Sequence, residues 1–202
     1  MIKRPSREIV LLQILVIFIV PIFLLYYNIL DIDARFFLLA FSALVMYSII
    51  RRERWNYRDL GLRVDNIKSA LPYYLSATLL FIGILFVLDS VLNINPNNTP
   101  TVIAQRLLLF IPVSVFQEFA FSVFLLKRLQ FLFGRSFLMV FINATIFTYI
   151  HIIYDLPPAA AIFLFVGSVI ASIVYLRKPN FLLVSIAHSL ANITAVLLGF
   201  FV

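Results

Sequence analysis

Glu118, His151 and His188 combine acid–base side chains with long apolar surroundings, and the two histidines are the only ones in this 202-residue chain. An ionisable group in hydrocarbon is costly unless it faces a polar cavity, so each marks a functional position by default. Residues four apart on a helix differ by about 40° around its axis and share a face. By that spacing His188 pairs with Asn192, Glu118 with Ser122, and Asn143, Phe147 and His151 form a ladder. A carboxylate and a histidine together can take a proton from water and return it to a leaving amine, the acid–base work of peptide hydrolysis. A second histidine and an amide can hold a developing oxyanion. The same glutamate and histidines are also a zinc donor set; the local H-E-x-x-H pattern is absent, and a metal held from three helices stays open. Taken singly, Asn143, Ser122 and Thr148 fit a simpler role as hydrogen-bond links between helices, each contributing about 1 kcal/mol. Gln117 fits either role.

The elements that carry these groups are membrane spans. With 63% hydrophobic and 12% charged residues, the chain cannot bury its apolar surface in one aqueous core. The pattern predicts an all-α, polytopic membrane helical bundle with about seven transmembrane helices, over 9–30, 35–50, 70–92, 102–126, 136–154, 158–176 and 181–201. All belong to a single integral-membrane domain, 1–202. The run after Lys3, Arg4 and Arg7 is too long for a signal peptide and reads as a retained first helix. Without cysteine, thiolate nucleophiles and Cys-based zinc sites are excluded. No internal repeat supports a two-half transporter.

The net charge of +7 reflects lipid topology rather than nucleic-acid binding, because the basic residues fall in short blocks between spans. They predict a cytoplasmic N-terminus in a multi-pass plasma-membrane protein, with Arg51 to Lys68 and Lys127 to Arg135 inside. Only Arg35 and Arg106 fall on the other side, where the turns run through Asp31 and Asp33, Asn93 to Thr101, and Asp155 to Pro158. The Arg51–Lys68 stretch, with Trp55 and Tyr57, reads equally as a segment on the anionic leaflet or as a solvated loop. The lipid bilayer is the one partner that composition implies.

Depth sets a constraint on convergence. Measured from the nearest cytoplasmic basic residue, Glu118 lies about 14 Å deep, His188 about 15 Å and His151 about 24 Å. Bringing them together requires a tilted fifth helix, or residues 129–138 lying partly along the interface before the chain turns inward at Gly134.

Phe147-Thr148-Tyr149-Ile150-His151 and His188-Ser189-Leu190-Ala191-Asn192 are FxxxH and HxxxN motifs in that order. They follow Gln117-Glu118-Phe119-Ala120-Phe121-Ser122, a partial EExxxR. Over residues 55–201 this resembles the CAAX protease and bacteriocin-processing family of intramembrane endopeptidases. Arg58-Asp59-Leu60-Gly61-Leu62-Arg63 also looks like a segment that precedes the family's first core span. The resemblance implies a glutamate-type protease acting on a membrane-associated peptide or protein. It implies no cofactor, although zinc stays open, and no oligomeric state. Glu118 and His151 would then activate water, while His188 and Asn192 stabilise the intermediate. Gln117, Ser122 and Phe147 would line the substrate side. The departures are Gln117, where the family has its first glutamate, and Ser122, where it has arginine. Gln cannot act as a base, so the resemblance implies either that Glu118 has taken over or that the chain is a degenerate relative that binds without cutting, as a chaperone or bacteriocin-immunity protein does. A proton-coupled transporter fits the chemistry but not the motifs.

Overall fold

The computed structural model describes residues 5–92, 99–154 and 158–200. Lys3, Arg4, Asn93–Asn98 and Asp155–Pro157, which carry parts of the expected basic N-terminus and turns, lie outside them. Among the described residues the chain is helical without strands. Six helical stretches are long and apolar enough to cross a membrane: Arg7–Tyr26, Ile32–Glu53, Ile67–Val91, Pro100–Phe133, Phe137–Tyr154 and Pro158–Arg177. A shorter apolar helix, Phe181–Leu197, follows. The protein is therefore an all-α, multi-pass membrane protein. The second stretch, short in the hydropathy pattern, is extended at both ends: Asp31 Oδ1 accepts from the Asp33 N–H to start it, and Arg54 closes it in the left-handed region at φ +55°.

The chain divides into two compact units, each drawn from two separate stretches: Met1–Leu60 with Ala120–Ile173, and Gly61–Phe119 with Val174–Val202.

In the first unit α1 (Arg7–Ile14) passes through a π-helical turn, Leu15–Ile19, into α2 (Val20–Tyr26). Pro21 has no N–H for the carbonyl of Ile17 four residues back. Ser42 on α3 (Arg35–Glu53) donates its hydroxyl to that carbonyl at 3.3 Å. The next helix of this unit is the amphipathic α6 (Leu126–Phe133), ended by Gly134 at φ +67°. There Arg7 Nη2 donates to the Leu132 carbonyl at 3.0 Å, serving one of the acceptors a helix end leaves open. Ser136 caps α7 (Phe137–Tyr149).

The charged stretch after α3 is neither loose nor evenly basic. Arg128, 3% exposed, pairs with Glu53 at 2.9 Å, and Glu53 Oε2 accepts from the Trp55 indole at 2.9 Å. The indole stacks on Phe124 and carries both Lys127 and Arg128 against its ring. Lys127 in turn pairs with Asp59. Burial pushes the Asp59 carboxyl up, but the Lys127 hydrogen bond, the Asn56 N–H and the Lys127 charge outweigh it and hold it below the usual carboxylate range. This contribution to stability is present above the unfolded carboxylate value of about 4 and is lost as pH falls through the lower folded value.

The second unit holds α4 (Ile67–Leu92), α5 (Pro100–Glu118), the end of α8 (Pro158–Arg177) and α9 (Phe181–Leu197), with α9 packed on both α4 and α5. α5 begins at Thr99-Pro100, slightly before the expected 102, because Thr99 caps it through the Val102 N–H and Pro100 needs no partner at a first helical position. α9 is shorter than the expected 181–201. Gly199 takes φ +85° and ends it, so its 17 residues reach only about 25 Å.

Gly61 opens this unit at φ +67°, a conformation that costs side-chain-bearing residues strain. A Cβ there would also strike the Tyr175 hydroxyl. Gly61→Ala should therefore destabilise the protein by more than about 1 kcal/mol, read as a lowered unfolding midpoint in detergent. An unchanged midpoint would show that the turn relaxes freely.

Candidate active site

α5 and α9 run antiparallel and meet through two polar rungs. His188 Nδ1 lies 2.6 Å from Glu118 Oε1, and Asn192 Nδ2 donates to Ser114 Oγ at 2.8 Å. Ser114 and Glu118 are one turn apart on α5, and His188 and Asn192 one turn apart on α9, so each helix presents an i, i+4 pair to the other. Ser114 donates onward to the Phe110 carbonyl at 2.6 Å. Glu118 is 6% exposed and Ser114 fully buried. With Glu118 ionised, as the base role requires, the carboxylate only accepts, so His188 is the donor of the first rung through its Nδ1–H. This fixes both the tautomer and the orientation of the ring.

α5 carries a proline, Pro112, six residues before Glu118, which withholds an N–H from the Leu108 carbonyl. Directly after Glu118 the backbone changes from α to a π-helical segment, Phe119–Leu125. Such segments are uncommon and concentrate at functional sites. Ser122 lies inside the π segment with its side chain buried. Gln117, beside Glu118 on the last turn of α5, is half-buried.

His151 belongs to the first unit, and it is not within a helix as its place in the fifth span led one to expect. α7 stops at Tyr149, and His151 sits in the turn before a 3-10 turn, Ile152–Tyr154. The last carbonyls of an α-helix lack intrahelical partners, and here His151 Nδ1 lies 2.7 Å from the Phe147 carbonyl. That contact requires the proton on Nδ1 and leaves the basic lone pair on Nε2. Phe147 is buried, packs edge-on against Phe121, and lies under the His151 ring. The phenylalanine of FxxxH thus supports the histidine twice, through its ring and through its carbonyl. Asn143, two turns earlier, donates to Ser172 Oγ at 2.9 Å, the helix-linking role its residue type suggested.

Beside the Glu118–His188 rung the second unit has a groove of about 400 Å³. Leu62, Ile111 and Val115 form one side, and Phe181, Ile186 and Leu190 the other. Its wall is almost wholly apolar except for Ser185 and Ser189; Ser185 Oγ is buried without a hydrogen-bond partner. Ser114 and the groove escaped the sequence reading. Ser114 was visible only as a serine one turn before Glu118, a spacing that gains meaning once Asn192 is opposite. Among the described residues, neither unit brings together a group of three His, Asp or Glu side chains suited to a metal.

Residues 99–194 match the family model described as Type II CAAX prenyl endopeptidase Rce1-like. No curated protein and no solved structure matches the chain. The Rce1-like stretch contains Gln117, Glu118, Ser122, Phe147, His151, His188 and Asn192, that is, all three motifs, and excludes the Arg58–Arg63 segment. It supports a CAAX-type intramembrane protease at the level of the family. Among the described residues of the Rce1-like stretch, Glu118, the second position of the first motif, lies within hydrogen-bond distance of a motif histidine.

Proposed function

We propose that this protein is an intramembrane endopeptidase that hydrolyses a peptide bond of a membrane-associated peptide or protein through water activated by Glu118. The observation that carries the proposal is the 2.6 Å contact of Glu118 with His188 between two apolar helices. The Glu118 carboxylate takes a proton from water, the hydroxide adds to the peptide carbonyl carbon, and a tetrahedral oxyanion forms. The proton then passes from Glu118 to the peptide nitrogen, the C–N bond breaks, and a carboxylic acid and an amine leave. His188 orients the carboxylate, and Asn192, fixed by Ser114, has a second amide proton to offer the oxyanion. The role of His151 in assisting the base rests on the resemblance and on its Nε2 lone pair. The apolar groove beside the rung suits an apolar stretch of substrate, whose backbone could meet the Ser185 hydroxyl. The basic blocks support a plasma-membrane protein with its N-terminus in the cytoplasm.

A second reading, a binding protein of the same fold without activity, is favoured by Gln117 and Ser122. The two separate on one assay. Purified protein incubated with a panel of tagged membrane peptides should cleave at least one of them, with the same rate in strong chelator and with loss in His151→Ala. No cleavage by the wild type, with cleavage gained in Gln117→Glu, would establish the binding protein instead.

A further inference from the structure

The turn Lys178–Asn180 precedes His188 by two helical turns and the segment Gly61–Asn66 is remote from both rungs in sequence; apart from Leu62 in the groove wall, neither has a part in the chemistry above. They are joined by an unusually complete set of hydrogen bonds around Asn180, a fully buried side chain. Asn180 caps α9, its Oδ1 accepting from the Leu183 N–H at 3.0 Å. Its Nδ2 donates to the Arg63 carbonyl and to Asn66 Oδ1, each at 2.8 Å. Asn66 Nδ2 returns a bond to the Pro179 carbonyl at 2.9 Å, Tyr74 Oη donates to the Lys178 carbonyl at 2.9 Å, and the Phe181 N–H donates to the Gly61 carbonyl at 2.8 Å. The left-handed Gly61 thus shapes the turn whose carbonyl meets the first residue of α9.

We propose that Asn180 is a positioning residue, which through Arg63 and Asn66 fixes the start of α9 and thereby the pairing of His188 with Glu118. His188 is two helical turns beyond Asn180. A slip of one residue at the helix start would turn His188 by about 100° and shift it by about 1.5 Å. That rotation turns the imidazole off the face of α9 that meets Glu118. Besides this cap, the Asn192–Ser114 rung is the other polar contact described between α9 and α5 outside the His188 pair, and the remaining side chains of α9 are mostly apolar and tolerate sliding. Capping alone does not require asparagine: serine or aspartate caps as well. Only asparagine accepts from Leu183 and donates to two acceptors from the same side chain.

The test compares Asn180→Asp, which keeps the cap and loses both donations, with the wild-type full chain in nanodiscs, by ¹⁵N-histidine NMR. Two histidines give two sets of signals, assigned with His151→Gln. The expected result is loss of the hydrogen-bonded Nδ1 proton of His188 in Asn180→Asp, with the His151 signals close to wild type and an unfolding transition that is lowered, because two buried donations are lost, but still cooperative. An unchanged His188 signal overturns the proposal, and so does a joint change of both histidines with loss of that cooperative transition, the mark of a purely structural role. This readout does not depend on the protease reading. Where the wild type cleaves a substrate, kcat of Asn180→Asp should also fall about 10²-fold with KM nearly unchanged; kcat and KM both at wild-type values would overturn it equally.

Discussion

Glu118→Gln is expected to lower kcat by about 10²–10⁴-fold, the range that general acid–base catalysis supplies, with KM nearly unchanged and the fold intact. The amide has the shape of the carboxylate and its oxygen can still accept the His188 Nδ1–H, so the 2.6 Å rung survives while the proton acceptor is gone. The unfolding midpoint should therefore barely move. His188→Ala is the counterpart. It takes a donor from a carboxylate that is 6% exposed, and loss of a hydrogen bond to a charged group costs about 1.5–3 kcal/mol. That variant should lose both activity and stability. If Glu118→Gln cleaved at the wild-type rate, Glu118 would not be the base, and the proposed mechanism would fall whatever the fate of the fold. Gln117→Glu in the wild-type background tests the same point from the other side. With Glu118 already serving, the added carboxylate should raise kcat little.

The largest stability effect is expected at Arg128→Ala. Its side chain is 4% exposed, and its guanidinium pairs with Glu53 at 2.9 Å and lies over both Trp55 and Phe124. Removing one partner of a buried ion pair costs about 3–5 kcal/mol, because the other charge stays behind. Arg128→Lys should recover only part of this, since an ammonium lacks the flat face that stacks on the indole. The double change Arg128→Met with Glu53→Gln should recover more, because no charge is left unpaired and the introduced amide oxygen still accepts from the Trp55 N–H. Trp55 is the single tryptophan, so its fluorescence during unfolding in detergent reports on this cluster directly. A loss below about 1 kcal/mol for Arg128→Ala would mean that the pair behaves as a solvated surface bridge.

The hydropathy of the chain determined a good deal by itself. Helices in lipid must satisfy their own backbone groups, so apolar length fixed the spans. Helix ends followed equally local signals: Thr99-Pro100, Ser136 and Asn180 as caps, Gly134 as a stop. The cost of burying ionisable groups singled out Glu118 and His188 before any partner was visible. Tertiary structure alone decided which groups meet. Periodicity says which residues share a face, but not how far each helix is rotated towards its neighbour, because one apolar face slides on another with little change in energy. The pairing of Glu118 with His188 and of Asn192 with Ser114 is a property of that rotation. So is the service of the Ile17 carbonyl by Ser42. The π segment after Glu118 and the turn that places His151 beyond the end of α7 were hidden for a related reason. Each trades one backbone hydrogen-bond pattern for another of similar strength, and the choice between them is made by packing around the segment rather than by the residues within it.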